Sequence, residues 1–179
     1  MNSCSTVPRT VGERFLDEGD LIVTKTDLAG RLTYTNDVFL KISAVTEAQA
    51  LGRPHNLIRH PDMPRGIFRL LWDTLQAGEE LFAYVQNLAL DGASYWVFAH
   101  VTPSFGVQGE PCGYHSTRRA PHRQALEEVR STYAQMCEVE AGHGGREGSR
   151  ASLEWLHARL AGQGLTYSEW LWSLTGGDE

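Results

Sequence analysis

The stretch that decides the fold is Gly52–Pro64, which reads G-R-P-H-N-L-I-R-H-P-D-M-P. Each of its three prolines fixes φ and removes a backbone donor, so no long helix can run through it. The apolar residues that follow recur every three or four positions, which is typical of a helix with Pro64 at its start. They are Ile67, Leu70, Leu71, Trp72 and Leu75. A stiff polar connector that leads into a helix is suited to form one wall of a small-molecule pocket.

The composition indicates a folded protein that does not bind nucleic acid or span a membrane. Of its 179 residues, 41% are hydrophobic and 21% are charged, and the net charge of -6 argues against nucleic acid or an anionic membrane as the main partner. There is no apolar run long enough for a membrane span and no signal-peptide core. The three separated cysteines, Cys4, Cys112 and Cys137, fit reduced thiols in a cytoplasmic protein, and no histidine or cysteine motif predicts a metal site.

The elements around the opening stretch predict an α+β domain over residues 21–120, with an N-terminal leader over residues 1–20. We expect the leader to be loose, with one helical turn around Val11–Asp17. Asn36 and Thr46 are placed to cap two short helices before Gly52, and Asp91-Gly92 is a strong hairpin signal. Short helices segregated beside antiparallel strands are typical of this class. Five strands are predicted from runs of β-branched and aromatic residues: Leu21–Thr26, Arg31–Thr35, Leu81–Leu90, Ser94–Phe105 and Cys112–Arg119.

A helical C-terminal extension is predicted over residues 121–179. Its first helix carries an apolar stripe, a second helix covers about Ser152–Ala161, and a capping box at Thr166 opens a third. The stripe consists of Leu126, Val129, Tyr133, Met136 and Cys137. Three tryptophans in the extension, Trp155, Trp170 and Trp172, need a surface to bury against, either the domain or a second copy. We therefore expect a homodimer through these helices as one way to cover them.

Several motifs together resemble the PAS domain of bacterial aerotaxis receptors. The opening stretch, the following F-R-L-L-W-D-T-L-Q-A-G-E, then V-Q-N, D-G-A-S-Y-W-V-F-A, V-T-P and G-Y-H-S-T-R occur in the same order and with matching gaps over roughly residues 20–120. The R-H-P-D-M-P run is the most specific part. The resemblance implies a PAS fold: a five-stranded antiparallel sheet flanked by short helices, here with the additional helical tail.

The resemblance also implies a cytoplasmic sensor that binds FAD between the sheet and the flanking helices and responds to redox state or oxygen. Carried over by position, Arg59, His60 and Asp62 fall on motif residues associated with flavin binding. Asn36 and Asn87 match polar positions of the family pocket, and an amide on a strand can pair with a flavin edge. Trp72 is a further candidate contact. Each has a structural alternative: Arg59, His60 and Asp62 as a network that fastens the loop, Asn36 as a helix cap, and Trp72 as core.

Departures from the family pattern keep other functions open. Leu81 stands where the family commonly has tryptophan, and Leu88 and Ala89 replace two basic residues. A PAS interaction or dimerisation module with an emptied, cofactor-free pocket is therefore one alternative. A haem sensor with His55 or His60 as axial ligand is another, since neutral imidazole binds iron. No catalytic constellation is visible, so we expect no enzyme. The 179 residues contain no membrane anchor or receptor signalling hairpin, and we expect the domain to report to a separate protein.

Overall fold

The computed structural model describes residues 11–175. Cys4, the first ten residues of the predicted leader and the last four residues of the tail lie outside that range. The strands are β1 Val11–Arg14, β2 Ile22–Thr26, β3 Leu32–Thr35, β4 Leu81–Leu88, β5 Ala93–Phe105 and β6 Pro111–Arg119. The helices are α1 Asp37–Ser43, α2 Glu47–Ala50, α3 Arg65–Gln76, α4 Ala125–Ala141, α5 Gly145–Ala161 and α6 Tyr167–Ser173, with a 3₁₀ turn at His55–Ile58.

The sheet is built around β5, which pairs antiparallel with β4 on one side and with β6 on the other. β6 pairs with β2, and β2 pairs with β3, all antiparallel. These five strands are the five predicted from the sequence, and the helices between β3 and β4 lie where the capping residues predicted them. Asn36 caps α1, and Thr46 forms a capping box with Gln49 at α2. The predicted α+β fold of the PAS type is therefore confirmed.

The predicted helical turn around Val11–Asp17 is wrong, because Val11–Arg14 is a sixth strand. β1 runs parallel to the first residues of β5, where Val11 is opposite Ala93 and Arg14 is opposite Tyr95. The pairing with β6 begins only at Phe98, so the edge of β5 before that point is available to β1. The Arg14 guanidinium also donates to Asp91 and to the carbonyl of Ile42. A partner about eighty residues away in sequence, rather than local helix propensity, determines this segment's structure.

Two hydrophobic cores lie on opposite faces of the sheet. On the inner face, Tyr95, Val97 and Ala99 of β5 pack with α1, α2 and the 3₁₀ turn. On the outer face, Trp96 and Phe98 of the same strand pack with the tail helices. Successive residues of a strand point to opposite faces, so one strand serves both cores.

The tail helices fold back on the domain of their own chain. The predicted stripe of α4 faces the outer side of the sheet, and the hydroxyl of Tyr133 donates to the carbonyl of Tyr84 at 2.9 Å. Trp170 is buried, and the ring of Trp172 lies 4.9 Å from that of Phe82 in an edge-to-face contact. The predicted packing of tail tryptophans against the domain of the same chain is therefore observed for Trp170 and Trp172. The homodimer stays a prediction.

The second tail helix begins at Gly145, seven residues before the predicted start at Ser152. Gly148 allows this early start, because a Cβ there would lie 3.2 Å from the carbonyl oxygen of Glu140 in α4. The two helices therefore approach closely where the glycine-rich connection ends. The helix includes glycines of low helix propensity at this end because the contact with α4 outweighs that preference.

The N-terminus of α3 is capped by a side chain from the tail. Its N-cap residue, Pro64, makes no side-chain cap, and instead the carboxylate of Glu140 accepts from the backbone N–H of Gly66 at 2.9 Å. The same carboxylate oxygen accepts from the hydroxyl of Ser152 in α5 at 2.7 Å. Gly66 is required for this approach, since a Cβ there would lie 3.1 Å from the backbone nitrogen of Leu153. Glu140 thus joins α3, α4 and α5 at one point.

We predict that Glu140→Ala lowers the free energy of unfolding by about 1–2 kcal/mol, the usual cost of a lost helix cap that leaves donors unpaired. Denaturant unfolding measures this. Glu138→Ala is the matched control, because Glu138 lies exposed on the same helix. Equal stabilities of the two variants would show that the Glu140 bridge contributes nothing.

Candidate functional site

A cavity of about 270 Å³ lies between the inner face of the sheet, the helix α3 and the 3₁₀ turn. Its helical wall is apolar and its sheet wall is largely polar. The helix contributes Phe68, Leu71, Trp72 and Leu75. The strands contribute Thr24, Thr26, Val85, Asn87, Ala99, Val101, Tyr114, Ser116 and Arg118, and the loops contribute Ala29, Gly30, Pro54, His55, Asn56 and Arg59.

The periodicity of each element determines which side chains line the cavity. In β6, Tyr114, Ser116 and Arg118 alternate with residues of the other face, so all three point inward. In α3, Phe68, Leu71, Trp72 and Leu75 recur at helical spacing. A polar strand therefore faces an apolar helix across the cavity, which suits a ligand with one polar and one apolar side.

Arg118 and His55 form the polar centre of the site. Arg118 is 7% exposed, and its guanidinium donates to Nε2 of His55 at 2.8 Å and to the hydroxyl oxygen of Thr24 at 3.4 Å. Nε2 of His55 also lies 3.3 Å from the same hydroxyl oxygen. Because Nε2 accepts from a cation, the ring of His55 is neutral, with its remaining proton on Nδ1.

The positive charge of Arg118 at this centre is not balanced by a carboxylate of the described residues. Burial lowers the pKa of Arg118 to about 10, so the guanidinium stays charged at neutral pH. Burial, and then the charge of Arg118, hold the pKa of His55 well below its usual value. Among residues 11–175, Arg118 forms no ion pair with an acidic side chain. A buried cation without a counter-ion is costly, and an anionic group in the cavity would lower that cost.

Two further polar groups in the cavity wall lack hydrogen-bond partners. The amide nitrogen Nδ2 of Asn87 and the hydroxyl of Ser116 are buried and have no partner among the residues that the structure describes. Asn87 is only 4% exposed. Buried donors are nearly always satisfied in folded proteins, and each unpaired one costs about 1–3 kcal/mol. Both groups line the same cavity as Arg118, so a ligand there can satisfy them.

The structure brings three of the six predicted site residues to the cavity: Arg59, Asn87 and Trp72. Arg59 donates to the carbonyl of Met63 at 3.0 Å and lies over the ring of Phe68, so it also fastens the loop. Asn36, His60 and Asp62 are outside the cavity lining. Asn36 accepts from the N–H groups of Val23 and Phe39, which makes it a helix cap.

His60 and Asp62 interact with each other beside the cavity. Nδ1 of His60 accepts from the backbone N–H of Asp62 at 3.2 Å and lies 3.8 Å from the Asp62 carboxylate. The carbonyl of Asp62 also accepts from the thiol of Cys137 in α4 at 3.3 Å. Their position fits the loop-fastening alternative, and it links the specific R-H-P-D-M-P run to the tail.

The sequence prediction missed Arg118 and Ser116 as site residues and placed His55 at the site only in the haem alternative. The signal was present in β6, where Tyr114, Ser116 and Arg118 share one strand face, but the sequence does not say which face is buried. The strand histidines His100 and His115 do not line the cavity. His100 stacks on Phe82 with ring centroids 4.1 Å apart.

The residues that depart from the family pattern do not fill the cavity. Leu81 belongs to the hydrophobic core on the outer face of the sheet, and Ala89 belongs to the core on the inner face. Leu81, Leu88 and Ala89 are not part of the cavity lining. For the haem alternative, Nε2 of His55 is already engaged by Arg118. A haem iron would have to displace that hydrogen bond.

Comparisons with known proteins agree with this architecture. Residues 32–118 match the PAS fold family. The chain is 35% identical over 118 residues to the aerotaxis receptor of Escherichia coli (strain K12), which covers 66% of this chain and 23% of the receptor. It is 28% identical over 95 residues to the nitrogen fixation regulatory protein of Klebsiella pneumoniae, covering 53% of this chain and 19% of that protein. The chain thus spans about a quarter or less of the length of these relatives.

Solved structures of the same fold include light-oxygen-voltage domains. One, studied with a flavin analogue, superposes with a TM-score of 0.55 at 14% identity and covers 64% of this chain and 86% of its own. The dark structure of the blue-light photoreceptor Aureochrome1 LOV gives 0.51 at 17% identity, covering 68% and 86%. No described helix is long and apolar enough to cross a membrane. Residues 32–118 therefore have the PAS fold, and the chain is similar over 118 residues to the aerotaxis receptor of Escherichia coli.

Proposed function

We propose that this protein is a cytoplasmic redox sensor whose PAS domain binds a flavin, FAD in the first place, and signals to a separate protein. The observation that carries the proposal is the buried cation of Arg118, which faces the cavity and has no carboxylate partner within residues 11–175. The similarity to aerotaxis receptors and to light-oxygen-voltage domains supports a flavin as the ligand.

The lining of the cavity fits the ring system of a flavin. Such a ring is planar, with an apolar benzenoid side and an opposite side rich in carbonyl oxygens and nitrogens. The rings and aliphatic side chains of α3 can cover the apolar part, while Asn87, Ser116 and Arg118 supply donors to the polar part. At about 270 Å³ the cavity is at the lower limit for small-molecule sites and takes the ring head only. The rest of a dinucleotide would lie outside it.

A bound flavin supplies reversible electron transfer, and the chain's own residues make its two redox states unequal. Reduction adds negative charge to the ring, and the guanidinium of Arg118 stabilises that charge in a medium of low dielectric. His55 keeps the guanidinium in position through Nε2 and adds no charge of its own. A ligand shifts a protein only by its different affinity for two conformations, and this charge change supplies such a difference.

The signal can reach the tail through α3. One side of this helix lines the cavity, and its N-terminus is capped by Glu140 of the tail. A change in ring contacts at Phe68 or Trp72 therefore acts on the element that holds α4 and α5. A separate partner would read the resulting change in the tail. The predicted homodimer would have to use the outward side of the tail helices, because their apolar side packs within the chain.

We predict that the purified protein binds FAD with flavin absorbance bands, and that Arg118→Ala weakens binding roughly tenfold to a hundredfold, as expected for a lost hydrogen bond to a charged group. Titration of FAD into apoprotein, followed by absorbance or fluorescence, measures this. Arg119→Ala is the control, since Arg119 is exposed and points to the outer face. A colourless protein that ignores added FAD would remove the flavin proposal.

A second variant separates binding from folding. Asn87→Leu replaces an unpaired buried amide by an apolar side chain of similar size, so we expect unchanged or higher stability without ligand together with weaker FAD binding. Thermal unfolding with and without FAD measures both. If the variant is destabilised and still binds FAD as tightly as the wild type, Asn87 has a structural role alone.

We also predict that stability falls as the pH drops below about 6.5, because the unfolded chain protonates His55 there while the folded chain resists it. The contribution approaches about 1.4 kcal/mol per pH unit until the lowered folded-state pKa is reached. His55→Gln keeps an acceptor for Arg118 and removes this contribution, whereas His100→Gln on the outer face keeps it. Parallel stability curves for wild type and His55→Gln would contradict the neutral, buried state of this ring.

A further inference from the structure

An open groove of about 420 Å³ lies next to the cavity, between α3 and the start of α5. It is lined by four arginines: Arg59, Arg65, Arg69 and Arg146. Phe68 and Trp72 complete its floor, and these two residues and Arg59 also line the cavity. The groove and the cavity therefore share a wall and lie side by side.

The groove carries positive charge that acidic side chains do not balance. Arg69 pairs with Asp73 at 3.4 Å, but within residues 11–175 no carboxylate lies within ion-pair distance of Arg59, Arg65 or Arg146. The pKa of Arg59 is lowered mainly by burial; Arg65 lowers it further, and Glu140 opposes the shift. Like charges gathered in a concave site favour an anion between them. Arginine is the residue best suited to bind phosphate, through paired N–H donors.

One side of the groove comes from the tail, which lies outside the matched PAS residues. Gly145, Arg146 and Ser149 belong to the first turns of α5, and this helix has no side-chain cap at its N-terminus. Its first backbone N–H groups therefore add donors and a positive helix end to the same groove. This contribution is additional to the arginines and does not by itself define the site.

We propose that this groove binds the phosphate or diphosphate of the flavin whose ring occupies the cavity, so that the tail completes the ligand site. The inference rests on the proposed function and extends it. The cavity is too small for a whole dinucleotide, and the groove begins at the residues where the cavity ends. A phosphorylated ligand then contacts α3 and α5 together. Its binding and the docking of the tail are coupled, and each favours the other by the same factor.

The experiment compares three flavins that share the ring and differ in phosphate. Riboflavin has none, FMN has one and FAD has two. Affinities are measured on the full chain for the wild type and for the double variant Arg65→Ala and Arg146→Ala. Arg150→Ala is the matched control, because Arg150 lies on the same helix, pairs with Glu154 and is outside the groove.

We expect the double variant to bind FMN and FAD about tenfold to a hundredfold more weakly than the wild type and to bind riboflavin unchanged. A loss for FAD larger than that for FMN identifies a diphosphate site, and equal losses identify a site for one phosphate. If all three flavins weaken equally, or FAD binding does not change, the phosphate assignment is wrong while the flavin proposal stands.

If no flavin binds, the proposed function is wrong. The groove is then tested with pyrophosphate alone. Thermal unfolding of the wild type and the double variant is then followed with added pyrophosphate. Stabilisation of the wild type that the double variant lacks keeps the groove as an anion site. Equal responses of the two proteins overturn the inference.

Discussion

The hydrogen bond from the buried guanidinium of Arg118 to Nε2 of His55 is the interaction on which the site depends. It joins the last strand of the sheet to the 3₁₀ turn across the cavity and keeps the imidazole neutral. Because no acidic side chain of the described part of the chain pairs with the guanidinium, its positive charge is directed at the cavity and is not neutralised within the wall. Nearby, the unpaired groups of Asn87 and Ser116 extend the same polar surface. The protein thereby retains unfavourable buried polarity at the place where a ligand can satisfy it.

The helix α3 connects this site to the rest of the chain. Its aromatic and leucine side chains form the apolar wall of the cavity, and its N-terminus is held by Glu140 from the tail. The tail covers the outer face of the sheet with its own core, which includes Ile67 of α3, while Trp72 and Leu75 of the same helix line the cavity. The tail is thus packed as part of the domain, and the cavity and the tail have α3 as a common neighbour.

Local signals determined most of the elements, and long-range pairing determined the rest. Capping residues and turn dipeptides such as Asn36 and Asp91-Gly92 act over a few residues, so the sequence alone predicts the helices and hairpins near them. The strand at Val11–Arg14 depends on Ala93, far away in sequence, and the early start of α5 depends on the close packing of Gly148 against Glu140 of the preceding helix. For the site, Arg59, Asn87 and Trp72 were found through the family pattern. Arg118 was missed because burial of its strand face is a property of the assembled sheet.

Gly66 makes the contact between α3 and α5 rigid. With no side chain at this position the two backbones come so near that a single Cβ would meet the nitrogen of Leu153 at 3.1 Å. The hydroxyl of Ser152 and the end of the Met136 side chain pack at the same point, so there is little free space there to absorb a displacement. We therefore expect a rotation of α3 about its axis to move α5 at Ser152 and Leu153. The absence of a side chain at Gly66 thereby determines how closely α3, which lines the cavity, is coupled to the tail helix α5.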